Sequence, residues 1–259
     1  MTNTFRHLYT LAGITMLEGA RKQVFHVLML FAMTLIVVST LLGFLDHNVQ
    51  IKVIKDLVCV AILVSSCLIA ITLSVSGLPQ EVELRTIYPV MAKPICRWEF
   101  VAGKYLGTIG TVAIGMLIML AAFCGILYCY SGHVSAGVFI VMPFLFLEAA
   151  IVAAIGVLLS TVCSPPLAWF ISIFAFSIGA FKFQLEEFLS AKDHSLVGKG
   201  VIAVFNQILP NLECFNFKDS LVHGIPVSNI YLLQTGLYGV VYALAVLTLA
   251  SLIFARKEL

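Results

Sequence analysis

Two stretches without a single Asp, Glu, Lys or Arg, residues 57–80 and 105–147, flank a short segment, 81–104, that holds seven charges: Glu81, Glu83, Arg85, Lys93, Arg97, Glu99 and Lys104. Each uncharged stretch is at least as long as the ~20 apolar residues a helix needs to cross the hydrocarbon core of a bilayer. The stretches are continuous rather than alternating. Their backbone must therefore satisfy its own hydrogen bonds inside each segment, which selects helices over a barrel. Hydrophobic residues make up 61% of the chain and charged residues 11%, against about 45–50% and about 25% in soluble domains. No water-soluble fold hides that much apolar surface, so the solvent is a membrane. A net charge of +2 gives nucleic acid nothing to hold.

The pattern predicts an all-α integral membrane protein, a single transmembrane domain over 1–259. Six spans are expected at 24–44, 57–78, 105–130, 138–162, 167–181 and 231–254. The fifth is short, with Lys182 placed to snorkel to the interface. The first apolar run begins behind more than twenty mixed residues, so it reads as a retained helix and not a cleaved signal. Within residues 1–23, Phe5, Leu8, Tyr9, Ala12 and Met16 recur at helical spacing, which predicts a helix lying in the interface. Arg6, Arg21, Lys22, Arg85, Lys93, Arg97, Lys104, Arg256 and Lys257 fall on one side of the membrane. Lys52, Lys55, Lys182, Lys192, Lys199 and Lys218 fall on the other, four of them in one long loop. The excess places both termini and the charged segment in the cytoplasm.

The opposite side carries short connections at 45–55 and 131–137 and one long loop, 182–230. That loop has apolar groups at helical spacing, Phe181, Leu185, Phe188 and Leu189, and a second cluster from Ile208 to Phe217. It reads as two short helices on the outer face, acting as a cap over the spans or as a gate or docking surface for an extracytoplasmic partner. Glu148 is the one charged residue between Tyr105 and Phe181. An ionisable group in a span is a functional candidate: it lines a pathway, binds a cationic group or carries a proton, or else it ties two helices together by a hydrogen bond. The small neighbours Ala149, Ala150, Ala153, Ala154 and Gly156 suit the last reading. The seven cysteines form no CxxC pair and read as packing residues. The histidines have no ligand spacing, so no metal site is expected.

Pro79 is read as the start of a helix, with Glu81 and Glu83 near the positive end of its dipole and Glu81 paired with Arg85 at i,i+4. Pro89 stops that helix, and Pro94 opens a second one that runs through Arg97 into the third span. Gly103 and Gly107 allow close helix contact. From the residues alone, this is either a short amphipathic helix parallel to the membrane or a solvated loop whose charges mark the inner side. There is no nucleophile–base pair, so no catalytic residue is expected. No GxxxxGK[ST] phosphate loop occurs either.

The run from Glu81 to Gly107 resembles the loop of type-2 ABC transporter permeases, the six-span, exporter-type membrane subunits. Thr86, Lys93, Pro94, Arg97, Phe100, Gly103, Lys104 and Gly107 match that family's pattern. The N-terminal segment 18–25 and the ending 254–259 are similar to the family's as well. The outer stretch 209–219 resembles the subgroup that includes the copper-processing permease of nitrous oxide reductase clusters.

The resemblance implies a coupling helix between spans two and three that enters a cleft of a separate ATP-binding subunit, where ATP and Mg would be held. No cofactor belongs to this chain itself. Glu81, Glu83, Arg85, Thr86 and Tyr88 would face the ATPase, and Lys93, Pro94 and Arg97 would shape the return to the membrane. A second permease copy, identical or paired, completes the pathway. The expected location is the bacterial inner membrane. Two other readings stay open: a non-transporting assembly or scaffold subunit of an ABC-type complex, and a membrane-embedded hydrolase built around Glu148.

Overall fold

The computed structural model describes residues 2–41, 47–83, 97–132, 134–182, 210–218 and 228–256. Among these the chain is all-helical: α1 Thr2–Arg21, α2 Gln23–Ser39, α3 His47–Glu83, α4 Arg97–Ser131, α5 Gly137–Val162, α6 Pro165–Ala180 and α7 Asn229–Arg256, with one 3-10 turn at Glu213–Phe215. Val49–Gly77 within α3, and α4, α5 and α7 whole, are long and apolar enough to cross a membrane. Arg6–Arg21 and Gln23–Ser39 pass the same test as a pair, bent by 62° at Lys22, which makes up to five spans; α6 is apolar but shorter.

Helices α2 to α7 alternate in direction. At one end the Arg97 guanidinium reaches the last carbonyls of α7; at the other the Tyr130 hydroxyl donates to the Thr40 carbonyl at 3.1 Å. We call these the charged end and the far end. Helix α3 is the axis of the bundle, touching α2, α4, α5 and α6. Of its most apolar window 78% is buried, against 22% for α7, so α7 presents most of its surface outward. The α3–α5 contact is close because α5 is small there: Ala149, Ala153 and Ala154 are buried, and a Cβ at Gly156 would overlap the Ser74 hydroxyl of α3. In a bilayer, where lipid competes with apolar side chains, such backbone approach is what favours helix association. The Tyr105 hydroxyl of α4 donates to the Ala150 carbonyl at 3.2 Å and ties a third helix to this seam. At the far end α4 stops at Gly132, whose φ of 69° is the left-handed cap that glycine adopts without strain.

Three sequence expectations change. Pro79 does not open a helix; it lies inside α3, which continues to Glu83. Proline removes one ladder bond, to the carbonyl of residue 75, and a long helix anchored on both sides absorbs that loss. The connection expected at 45–55 is helical from His47, so α3 begins a good two turns before its apolar run. Lys52, Lys55 and Asp56 ride on those turns. Finally, α1 runs lengthwise along the first turns of α4, the most extensive helix pairing among the described residues. Its inner face is Leu11, Ala12, Thr15, Met16 and Gly19, whereas Tyr9, counted on the apolar face from the sequence, is 84% exposed.

At the far end, residues 210–218 tuck in among the helices rather than lying over them. Leu212 and Phe215 are fully buried. Leu212 packs on Gly179 of α6, and Phe215 packs on Gly239 of α7. Phe217 meets Phe144 of α5 with ring centroids 4.5 Å apart. The described part of the expected second outer helix is thus a single 3-10 turn; the first, near 185–189, lies outside the described residues.

Candidate functional site

The motif that carried the sequence argument straddles the charged end. Glu81 and Glu83 fall in the last described turn of α3. They therefore do not stand in the first turn of a helix, where the sequence places them. Arg85, Thr86, Tyr88, Lys93 and Pro94 lie outside the described residues. Arg97 is the first residue of α4.

From Arg97 onward each motif residue points to another helix. The Arg97 guanidinium donates from Nη1 to the carbonyls of Ala255 at 3.0 Å and Phe254 at 3.4 Å. The last carbonyls of a helix have no intrahelical partner and carry its negative partial charge, so Arg97 caps α7. One turn on, Phe100 stacks on Phe254 with ring centroids 6.0 Å apart and planes 21° apart.

The opposite side of the same turns receives α1. A Cβ at Gly103 would fall 2.8 Å from Leu11 Cβ, and one at Gly107 would overlap Thr15 and come 2.8 Å from the Ala12 carbonyl oxygen. These glycines therefore form a groove that only a bare backbone provides. The Thr111 hydroxyl extends the seam and donates toward the carbonyls of Gly107 at 3.0 Å and Met16 at 3.3 Å.

Charges line this contact. Glu99, 4% exposed, lies 3.6 Å from His7 Nδ1 of α1, an ion pair whenever the imidazole is protonated. Lys104, 5% exposed, places Nζ 3.7 Å from Glu18 Oε2. Lys22 Nζ is 3.9 Å from the other Glu18 oxygen and donates to Ser76 Oγ of α3 at 3.0 Å. Thr15, Glu18, Lys22, Gly77, Lys104 and Thr108 enclose a cavity of about 10 Å³. That is room for no more than one water, so the cluster is a joint between helices and not a ligand pocket. Glu18 and Ser76 belong to no motif that stands out in the sequence, and Lys22 is marked there only by its charge. The i,i+4 spacing of Glu18 and Lys22 was visible; their meeting with Lys104 and Ser76 was not.

Glu148 sits apart from this cluster. It is buried in α5 at 2% exposure, within electrostatic reach of Cys67 on α3 and of Lys218 at the edge of the tucked segment. Lys218 belongs to the far loop by sequence, and only the fold brings it toward Glu148. A larger groove, about 380 Å³ between α4 and α5 and lined by Met116, Leu120, Met142 and Phe146, has no charged side chain to orient a ligand.

No curated protein matches the chain. Residues 16–259 match the family described as ABC-2 family transporter protein, and the chain belongs to that family.

Proposed function

We propose that this ABC transporter permease couples ATP hydrolysis by a separate ATP-binding subunit to movement of a substrate out of the cell, through the segment between α3 and α4. The observation that carries this reading is the use of the residues after that segment. Arg97, Phe100, Gly103, Lys104 and Gly107 fasten the base of the segment to α7 and α1. A push on residues 84–96 would thereby reach α1, α3, α4 and α7 together. Two carboxylates, Glu81 and Glu83, fall in the last described turn of α3. A basic surface on a partner would complement them.

In this reading α2 to α7 are six spans, with α6 short and the bend at Lys22 setting α1 at the cytoplasmic interface. The termini and the coupling segment face the cytoplasm of a bacterial inner membrane, an orientation that the Lys and Arg distribution supports. ATP and Mg bind in the partner. A second permease copy supplies the other half of the pathway, to which the outward surface of α7 is available. Glu81, Glu83, Arg85, Thr86 and Tyr88 face the ATPase. Glu148 with Lys218 is the polar point of the pathway, and the 182–230 loop is the docking face for an extracytoplasmic partner.

The test is co-purification with the ATP-binding subunit, followed by ATP-driven transport in vesicles. The double substitution Glu83→Ala with Arg85→Ala is expected to weaken retention of the ATPase by about tenfold, the scale of losing a charged interface pair. Full retention with transport intact would sink the coupling role of this segment.

A further inference from the structure

The two arms of the coupling segment are the charged ends of α3 and α4, and one short stretch of α1 touches both. Gly19 shows this from packing alone. A Cβ there would fall 2.8 Å from Thr111 Oγ1 on α4 and 3.3 Å from Leu73 Cδ1 on α3. Its neighbour Glu18 shows it from charge: one carboxylate oxygen faces Lys104 of α4, and the other faces Lys22. Lys22 in turn donates to Ser76 of α3, and the Ser76 hydroxyl donates back to the Thr72 carbonyl at 2.7 Å. Lys22 is also the residue at the bend between α1 and α2, extended at φ −65° and ψ 134°. The path Ser76–Lys22–Glu18–Lys104 thus crosses from arm to arm through the hinge of the N-terminal helices.

We propose that Glu18 is the positioning residue of an ionic clamp that fixes α1 across the charged ends of α3 and α4, so that displacement of either arm of the coupling segment moves both. The proposal rests on the coupling reading above. Burial gives the clamp its strength. Lys104 has a side chain only 6% exposed, and an ammonium removed from water needs its counter-charge to remain there. Glu18 is 44% exposed and meets both lysines at 3.7 and 3.9 Å, beyond hydrogen-bond length. The arrangement is electrostatic and yielding, not a rigid bolt, which suits a joint that bears load during a cycle.

The experiment uses the full chain co-purified with its ATP-binding subunit and reconstituted in vesicles. A cysteine at Val49, exposed near the far end of α3, is placed in a Cys129→Ala background. Its labelling by an impermeant maleimide is followed with and without ATP and vanadate. The wild type is expected to show a nucleotide-dependent change in rate. Glu18→Gln and Lys104→Gln should each shrink that change about fivefold, and the double variant should shrink it no further, since residues acting through one contact are non-additive. ATPase retention and KM for ATP should stay unchanged, which separates loss of transmission from loss of assembly. If Glu18→Gln does not accumulate, Ser76→Ala removes the same path at its α3 terminus and should give the same loss. An unchanged response in either variant, or strictly additive effects, overturns the clamp alone. A wild type that binds no ATPase or shows no nucleotide response overturns the coupling reading and the clamp with it.

Discussion

The two ends of this bundle are held by opposite chemistry. At the charged end, α1 lies in a glycine groove on α4, and the contact is edged with Glu18, Lys22, Glu99 and Lys104. At the far end, residues 210–218 are held by Leu212, Phe215 and Phe217, packed on Gly179, Gly239 and Phe144. Both ends use glycine to bring chains close. What fills the space differs, and so does what the contact can do. Interlocked aromatic packing has one good arrangement and resists sliding. Ion pairs at 3.7–3.9 Å change slowly in energy with distance, so the charged pairs tolerate small shifts that close packing does not. Under the coupling proposed above, force would enter at the more yielding of the two ends.

The comparison breaks most visibly at Phe215. Phe215→Ala empties a fully enclosed site and should cost about 3–4 kcal/mol, read as a fall in Tm of roughly 10 °C in detergent. A loss under 1 kcal/mol would show that the far end is not held by its aromatic cluster. Next is Gly107→Val, which forces a branched side chain into Thr15 and the α1 backbone. A destabilisation of about 2–3 kcal/mol is expected, with trypsin cutting at Arg21 and Lys22 as α1 lifts away. Protection of that site would mean α1 is not seated by the groove.

Arg97→Gln keeps a donor but removes the charge at the end of α7. The expected cost is about 1–2 kcal/mol, with faster amide exchange confined to the last turn of α7; exchange spread through the bundle would assign Arg97 a different role. The smallest effect is that of salt. Raising ionic strength from 0.1 to 1 M cuts the screening length from about 10 to 3 Å. Because Glu18 is partly exposed, this should lower stability by no more than ~1 kcal/mol. The decrement should vanish in Glu18→Gln and persist in Phe215→Ala, which touches no charge. Equal salt sensitivity in both variants would erase the distinction between the two ends.

Much of the fold could be read from the chain because its strongest signals are local. Helices at 137–162 and 229–256 follow directly from unbroken apolar runs, and Pro165 and Pro166 mark the start of α6 as proline in a first helical turn should. Local signals also misled in definite ways. Pro79 is a legitimate helix opener, but the helix before it does not stop. The stripe with Tyr9 marks α1 as amphipathic, but its spacing does not show that Leu11, Thr15 and Gly19 pack on α4. In the site, Arg97, Gly103, Lys104 and Gly107 stood out as a pattern whose purpose their spacing did not disclose.

The chain alone determined its solvent, its helical backbone and the position of its one dense charged segment. Each follows from composition within a window of about twenty residues, the thickness of a bilayer. Only the tertiary structure decided which charges meet. Glu18 finds Lys104, Lys22 finds Ser76, Arg97 finds the end of α7, and Lys218 comes within reach of Glu148. These residues are far apart in sequence. Their proximity depends on helix direction, groove depth and the bend at Lys22, which no local periodicity encodes.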